Sequence, residues 1–251
     1  MQVIHLNKDT FIDSPLVVTI GQFDGIHKAH QKLINQTVES AKLKNAKSAV
    51  ITFNPHIDTV LRNNVSFNYI IDMPSKQEIL ENLNVDYLLI IEFNQDVAKI
   101  SHQDFFKQYL NNLNILEFII GFDFTYGHFG QGNSETIKDD YYKEVKVTKI
   151  SKLEICNEKI GSSQIKNALE NGNISKANDL LGFNFFMRFE ITDIKDNKAY
   201  LNSLNLNILN KQNYNVSINN ITSILYNEHK TYIENTLGLN IGDIIKVTFL
   251  N

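Results

Sequence analysis

The stretch that decides the fold is Leu16-Val17-Val18-Thr19-Ile20-Gly21-Gln22-Phe23-Asp24-Gly25-Ile26-His27-Lys28-Ala29-His30. Leu16 to Ile20 is apolar and partly β-branched, as a buried strand is, while Gln31 to Lys44 repeats apolar side chains at helical spacing. The residues between them turn the chain from strand to helix. Gly21 and Gly25 let the backbone bend sharply and approach a ligand closely, and Asp24 can accept hydrogen bonds from loop amides. His27 and His30, three apart at a helix start, share one face, where unpaired backbone N–H groups and the positive end of the dipole favour an anion. That describes a phosphate site with two imidazole donors. A plain strand-to-helix turn, with Asp24 as cap and the histidines at the surface, fits the same residues. So does a zinc pair, although no Cys or obvious third ligand stands nearby.

Outward from this turn the alternation continues. Ser48 to Phe53, Val85 to Ile91, Ile115 to Ile120 and Val145 to Ile150 read as strands, and Ser75 to Leu83 and Ser101 to Leu113 as helices between them. Strand and helix in regular succession predict an α/β fold, a doubly wound parallel sheet whose ligands bind beyond the carboxyl ends of the strands. Those ends carry Gly21 to His30, Asn54 to His56 and Gly121 to Gly132. Two short helices follow, Ser162 to Glu170 and Ile174 to Leu181, stopped at Asn171-Gly172 and Gly182. From Phe186 the pattern changes to β-rich segments, Phe189 to Ile194, Lys198 to Leu204, Tyr214 to Ile218 and Ile244 to Leu250, with Asn-rich turns. The expected division is therefore residues 1–185 and a small C-terminal β module, 186–251. The run from Asn202 to Asn220 is the nearest to low complexity.

Composition narrows the function. The chain has 251 residues, 43% hydrophobic and 21% charged, with formal net charge -4 and mean hydropathy -0.22, values of an ordinary soluble globular protein. Slight acidity argues against a dedicated nucleic-acid binder, which clusters Lys and Arg on one face. The lone Cys156 has no internal disulfide partner, and the opening Met1 to Thr10 has neither a signal peptide's apolar core nor a membrane span, so the expected compartment is the cytoplasm. The sequence leaves the oligomeric state open. With 33 Asn and only two Arg, Arg62 and Arg188, the composition reads as a nucleotide bias, and missing arginines carry little weight.

Gly21 to His30 resembles the G-x-F-D-G-x-H-x-G-H signature of the cytidylyltransferase-like nucleotidyltransferases, in the form used by bacterial bifunctional riboflavin kinase/FAD synthetases. Further segments are similar to the same family in the same order. Ile51 to His56 matches its strand ending in Phe-x-Pro-His. Phe93 to Ala98 with Ser101 to Phe105, Gly121 to Gly127, and Lys159 to Lys166 follow. The likeness covers residues 1 to about 185. It implies a Rossmann-like nucleotidyltransferase fold that joins the AMP part of ATP to FMN, giving FAD and pyrophosphate with Mg²⁺, whose ligands the sequence does not identify. It further implies that His27 and His30 hold the ATP phosphates and stabilise the transition state. Gly21, Phe23 and Asp24 belong to the same ATP site, together with Lys159, Ser162, Ser163 and Lys166 at a second helix start. Asn54, His56, Asp123, Phe124 and Tyr126 face the flavin.

Simpler readings stand beside these. Phe124 and Tyr126 alternate as in any half-buried strand; Gly127, Gly130 and Gly132 suit a mobile surface loop; Asn54-Pro55-His56 suits a turn; Ser162 and Ser163 suit a helix cap. Asp139-Asp140 and Lys42 to Lys47 read as solvated helix faces. The sequence also departs from the family pattern. Ala29 replaces a Gly, Gly161 and Ser163 replace Ser and Thr, and Lys166 replaces an Arg, which loses a bidentate fork but keeps the charge. The kinase module's Pro-Thr-Ala-Asn motif has no counterpart after Phe186, so the tail is expected to be a shortened or degenerate kinase barrel without kinase activity. Two alternatives accompany the transferase reading. One is a degenerate relative that binds nucleotide or flavin without catalysis; the other is a sibling adenylyltransferase with another phosphate acceptor.

Overall fold

The computed structural model describes residues 1–62, 67–141, 144–151, 154–155, 158–204, 208–227, 230–234 and 238–251. Cys156 lies outside them. The chain forms two compact units: Met1–Phe23, Ala29–Phe67 and Pro74–Lys159 make the first, and Asp24–Lys28, Asn68–Met73 and Ile160–Asn251 the second.

The first unit holds β1 (Gln2–Leu6), β2 (Ile12–Ile20), α1 (Lys28–Leu43), β3 (Lys47–Asn54), α2 (Ile57–Leu61), α3 (Met73–Asn82), β4 (Tyr87–Glu92), α4 (His102–Tyr109) and β5 (Leu113–Gly121). These are followed by β6 (Thr125–Tyr126), β7 (Gly132–Asn133), α5 (Ile137–Asp140), β8 (Lys146–Ile150), β9 (Glu154–Ile155) and β10 (Glu158–Lys159). A parallel sheet runs β1-β4-β3-β2-β5-β8. Counted from β2, the strands lie in the order third, second, first, fourth, fifth, so the direction of winding reverses between β2 and β5, where doubly wound sheets place their ligand crevice. Parallel pairing also brings every strand's carboxyl end to one edge. Leu16, Val17, Val18, Ala49, Val50, Ile51, Leu88, Leu89, Phe118 and Ile120 are all fully buried, as strands covered on both faces require.

The expected doubly wound sheet is present, with differences in detail. β1 was not anticipated, because a short edge strand paired only to β4 carries little pattern of its own. α4 ends at Tyr109 rather than 113, since Leu113 already opens β5. In the second unit β14 and β15 were also missed.

That unit contains α6 (Ser162–Glu170) and α7 (Ile174–Leu181), with the predicted bounds, then β11 (Phe186–Lys195), β12 (Lys198–Ser203), β13 (Gln212–Ile218), β14 (Ile221–Asn227), β15 (Thr231–Glu234) and β16 (Ile244–Phe249). The six strands close into an antiparallel barrel ordered β11-β12-β15-β14-β13-β16. Its two-residue turns explain the asparagines. Asp196-Asn197 (φ 53° and 58°) and Asn219-Asn220 (φ 50° and 66°) occupy the left-handed region that hairpin turns of this length demand and that Asn and Asp tolerate best. Buried Asn178 of α7 ties the helix to the barrel, accepting from Phe185 N at 2.7 Å and donating to Phe249 O at 3.3 Å. Among the described residues no helix is long and apolar enough to cross a membrane.

The most demanding polar group in the sheet is Glu117, 1% exposed on β5. Ser40 Oγ and Thr148 Oγ1 each donate to it at 2.5 Å, and Lys146 Nζ stands 2.9 Å away. Lys44, expected to be a solvated cation, pairs with it at 3.6 Å. Burial pushes the Glu117 carboxyl up, but the bonds from Ser40, Thr148 and Lys146 outweigh that and hold it below the usual carboxylate range. Glu117→Gln should therefore cost about 1–3 kcal/mol at neutral pH. Because the folded-state value is depressed, the wild-type advantage is complete above the unfolded carboxylate value and disappears as the pH falls through the folded one. Denaturant melts of both proteins from pH 7 to pH 3 check this; a difference that stays constant with pH contradicts it.

Candidate functional site

At the end of β2 the chain leaves the sheet in three residues. Gly21 N–H still donates to Ile51 O at 3.0 Å. The Gln22 carbonyl then turns away and accepts from Lys76 Nζ at 2.7 Å and Thr52 Oγ1 at 3.1 Å. Phe23 follows with φ 49° and its ring fully buried beneath Gly21, where an added Cβ would meet the ring at 3.1 Å. The Phe23 ring meets the His30 imidazole edge-on, with centroids 5.2 Å apart and planes at 73°, so Phe23 orients a histidine rather than only filling space. Lys76 was missed by the sequence reading. A signal existed: Lys76 falls in register with Ile79 and Leu80 on the buried face of α3, and a lysine in an apolar stripe is rarely buried without a task.

Asp24 to Lys28 belong to the second unit, and the chain returns to the first at Ala29. Asp24 is 4% exposed. Its Oδ1 accepts from Ile70 N at 2.9 Å, its Oδ2 faces Lys166 Nζ at 3.0 Å, and its carbonyl accepts from Ser162 Oγ at 2.9 Å. Gly25 has φ 83°, and a Cβ there would press on Ile70 at 3.1 Å. The segment is thus fastened to α6 and to the bend at Ile70, with His27 buried at its end. Ser162 does not cap α6; Gly161 is its N-cap and makes no side-chain bond. Ser163 is exposed. Lys159 ends β10, and its side chain lies outside the described ones.

Two departures from the family pattern lose their weight. Ala29 is the second residue of α1 and is not among the positive-φ positions; there alanine is a better helix former than glycine. A Cβ at Gly161 would meet nothing within 4 Å, so the site lacks a hydroxyl and not room.

On the first unit, Asn54, His56, Asp123 and Phe124 follow the carboxyl ends of β3 and β5, on the same sheet edge as Gly21. Asn54 is exposed. His56 caps α2, its Nδ1 accepting from Asp58 N at 3.1 Å, and its ring stacks on Phe67 at 4.1 Å. Asp123 is exposed and Phe124 half-buried. Tyr126 is placed differently. It is 6% exposed within the core and supports Phe124, the two rings stacked at 5.5 Å and 21°. Its hydroxyl is bonded to Asp140 Oδ2 and Thr136 Oγ1.

Asp140 corrects the expectation of a solvated helix face. Its side chain is 2% exposed and takes both the Tyr126 hydroxyl and His102 Nδ1, the latter at 2.7 Å. Burial, then the bond to Asp140, pushes the Tyr126 phenol well above its ordinary range. The glycines of this hairpin are packing requirements, not marks of a mobile loop: a Cβ on Gly127 would lie 2.6 Å from His102 Cα, and one on Gly132 2.6 Å from the Tyr126 ring. Phe129, at the hairpin tip, is 89% exposed.

Comparison with known proteins agrees with this arrangement. The FAD synthetase family model matches residues 10–164. The chain is 37% identical over 185 residues to the bifunctional riboflavin kinase/FMN adenylyltransferase of Bacillus subtilis, covering 73% of this chain and 58% of that protein. It is 29% identical over 204 residues to a FAD synthetase of Listeria monocytogenes, covering 78% and 79%. It thus spans less than two thirds of the length of the Bacillus relative. The crystal structure of a macrolide-efflux protein from Streptococcus pneumoniae superposes with TM-score 0.87 at 25% identity, covering 100% of this chain and 99% of that one.

The Asp24–Lys166 pair makes a separable prediction. Lys166→Met should destabilise the protein by about 1–3 kcal/mol, because a buried carboxylate oxygen loses its cation. Asp24→Asn combined with Lys166→Met should recover part of that loss. A double-mutant cycle by chemical denaturation measures the coupling, and strictly additive effects would show that the two side chains do not depend on each other.

Proposed function

Because the chain belongs to the FAD synthetase family, we propose that it is an FMN adenylyltransferase, taking MgATP and FMN to FAD and pyrophosphate. The observation that carries this reading is the Gly21–Phe23 turn at the end of β2, beside the β5 end, at the point where the strand order reverses. The names of the relatives support the same activity. An FMN phosphate oxygen attacks the α-phosphorus of ATP, the new P–O bond forms in line with the breaking α–β anhydride bond, and pyrophosphate departs. No covalent intermediate on the protein is required, so the work is positioning and charge stabilisation.

By residue type and resemblance, His27 and His30 donate to the phosphates as charge develops; Gly21, Phe23 and Asp24 shape the turn; Ser162, Ser163, Lys159 and Lys166 serve the triphosphate. Asn54, His56, Asp123 and Phe124 line the flavin side, with Tyr126 beneath Phe124. Among the described residues no group of three or more His, Cys, Asp or Glu is arranged to hold a metal ion. In this reading Mg²⁺ arrives on the nucleotide and is held chiefly by phosphate oxygens and water. We assign residues 1–185 to this reaction and the barrel to no kinase activity, on the missing Pro-Thr-Ala-Asn motif. The cytoplasm is the compartment this chemistry suits.

Purified protein should form FAD from FMN, ATP and Mg²⁺, followed by chromatography, and should not convert riboflavin to FMN. His27→Ala and His30→Ala should each slow FAD formation by about 10²-fold, the usual cost of one preorganised donor. Background FAD at saturating substrates sinks the enzyme reading in favour of a binding protein; a folded histidine variant with near-wild-type turnover removes that residue from catalysis.

A further inference from the structure

Asp140, at the end of α5, lies outside every motif the reaction needs, yet its side chain is 2% exposed and is bonded to the flavin-side hairpin. One oxygen, Oδ2, serves both Tyr126 and His102, residues from β6 and the start of α4. Thr136 extends the network: it bonds the Tyr126 hydroxyl at 2.9 Å, accepts from Asn133 N at 3.0 Å and donates to Asn133 O at 3.1 Å. Asn133 pairs with Thr125 across β6 and β7. His128 N donates to Ile100 O at 2.8 Å, and Gly127 and Gly132 close onto His102 without room for a side chain. Most of the contacts that fix the hairpin from Thr125 to Asn133 thus lead to His102, Tyr126 or Thr136, and the first two meet at Asp140.

Such a network is more than a surface turn needs. A two-strand hairpin of two residues a side has almost no ladder of its own, so its position depends on these side chains. What it positions is Phe124, whose ring rests on Tyr126. We propose that Asp140 is a positioning residue for the flavin: acting through Tyr126 and His102, it holds the Phe124 platform at the height and tilt that flavin stacking requires. The inference rests on the FMN adenylyltransferase reading. It assigns to His102 and Asp140 an effect on FMN rather than ATP, because the bonds of this network join residues 102, 126, 133, 136 and 140, on the hairpin side of the sheet edge.

The test separates the two substrates. Asp140→Asn and Tyr126→Phe, with thermal melts confirming that both fold, should raise the KM for FMN about fivefold or more and leave the KM for ATP within twofold. His102→Asn, whose amide still donates to Asp140, should retain more FMN affinity than His102→Ala. Unchanged KM values for both substrates, or equal rises in both, overturn the proposal, since a purely structural network shifts neither or both. If the wild-type chain makes no FAD, titration of FMN by flavin fluorescence decides in place of kinetics: weaker binding by Asp140→Asn than by wild type sustains the positioning role while the transferase reading fails. Equal binding by the two proteins, or no binding by either, overturns it.

Discussion

The hydrogen bond from buried Lys76 to the Gln22 carbonyl fixes the point from which the rest of the site is built. A strand in the middle of a parallel sheet has every backbone group engaged by its neighbours, and β2 lies between β3 and β5. The chain must leave it abruptly, and a carbonyl turned out of the ladder into a dry interior needs a partner. Lys76 and Thr52 provide two. Only with Gln22 held this way can Phe23 take its left-handed φ, drive its ring under Gly21 and set the edge of His30. The glycine, the strained phenylalanine and the buried lysine are one device.

A second constraint is that the glycines of the β6–β7 hairpin stand where a side chain would collide, not where the chain is loose. Gly127 sits against the His102 backbone, and Gly132 against the Tyr126 ring and the His102 side chain, at distances no Cβ allows. The hairpin is therefore rigid where its spelling suggests mobility. Its one exposed hydrophobic, Phe129, costs solvation without contributing to the core, an arrangement more often kept for an encounter with a ligand than for stability.

Most of the fold was legible because it is written locally. The strands β2 to β5 announce themselves by continuous burial, and α6 and α7 by their stops: Asn171-Gly172 and the left-handed Gly182. The Asn-rich tail was harder to read, since the same residue served as turn former at 219–220 and as strand residue in β13; the apolar residues of β14, Ile221, Ile224 and Leu225, do not alternate, and β15 is only four residues long. The site divides along the same line. His27, His30 and their glycines are contiguous and visible. Asp140 and Lys76 work through partners 14 to 54 residues away, and no local pattern separates an acid that is buried by such partners from one on a solvated face. Tyr126, buried beneath Phe124, was hard to read for a related reason: alternation shows which residues share a face but not whether that face meets ligand or core.

Lys166 shows how a partner changes the meaning of a charge. Lys166 is the fifth residue of α6, and a cation that close to a helix start is disfavoured by the dipole, which from sequence alone argues for an anionic ligand. The structure supplies an anion already, the Asp24 carboxylate at 3.0 Å. Any phosphate that uses Lys166 must then share it with Asp24, so its contribution to nucleotide binding is the difference between two contacts. A compact ammonium with three donors suits sharing, since it can face two anions from different sides. A guanidinium fork would commit its paired donors to one of them. The lysine at this position is thus consistent with a residue that keeps its loop contact while it serves a ligand, and the replacement of arginine need not weaken the site.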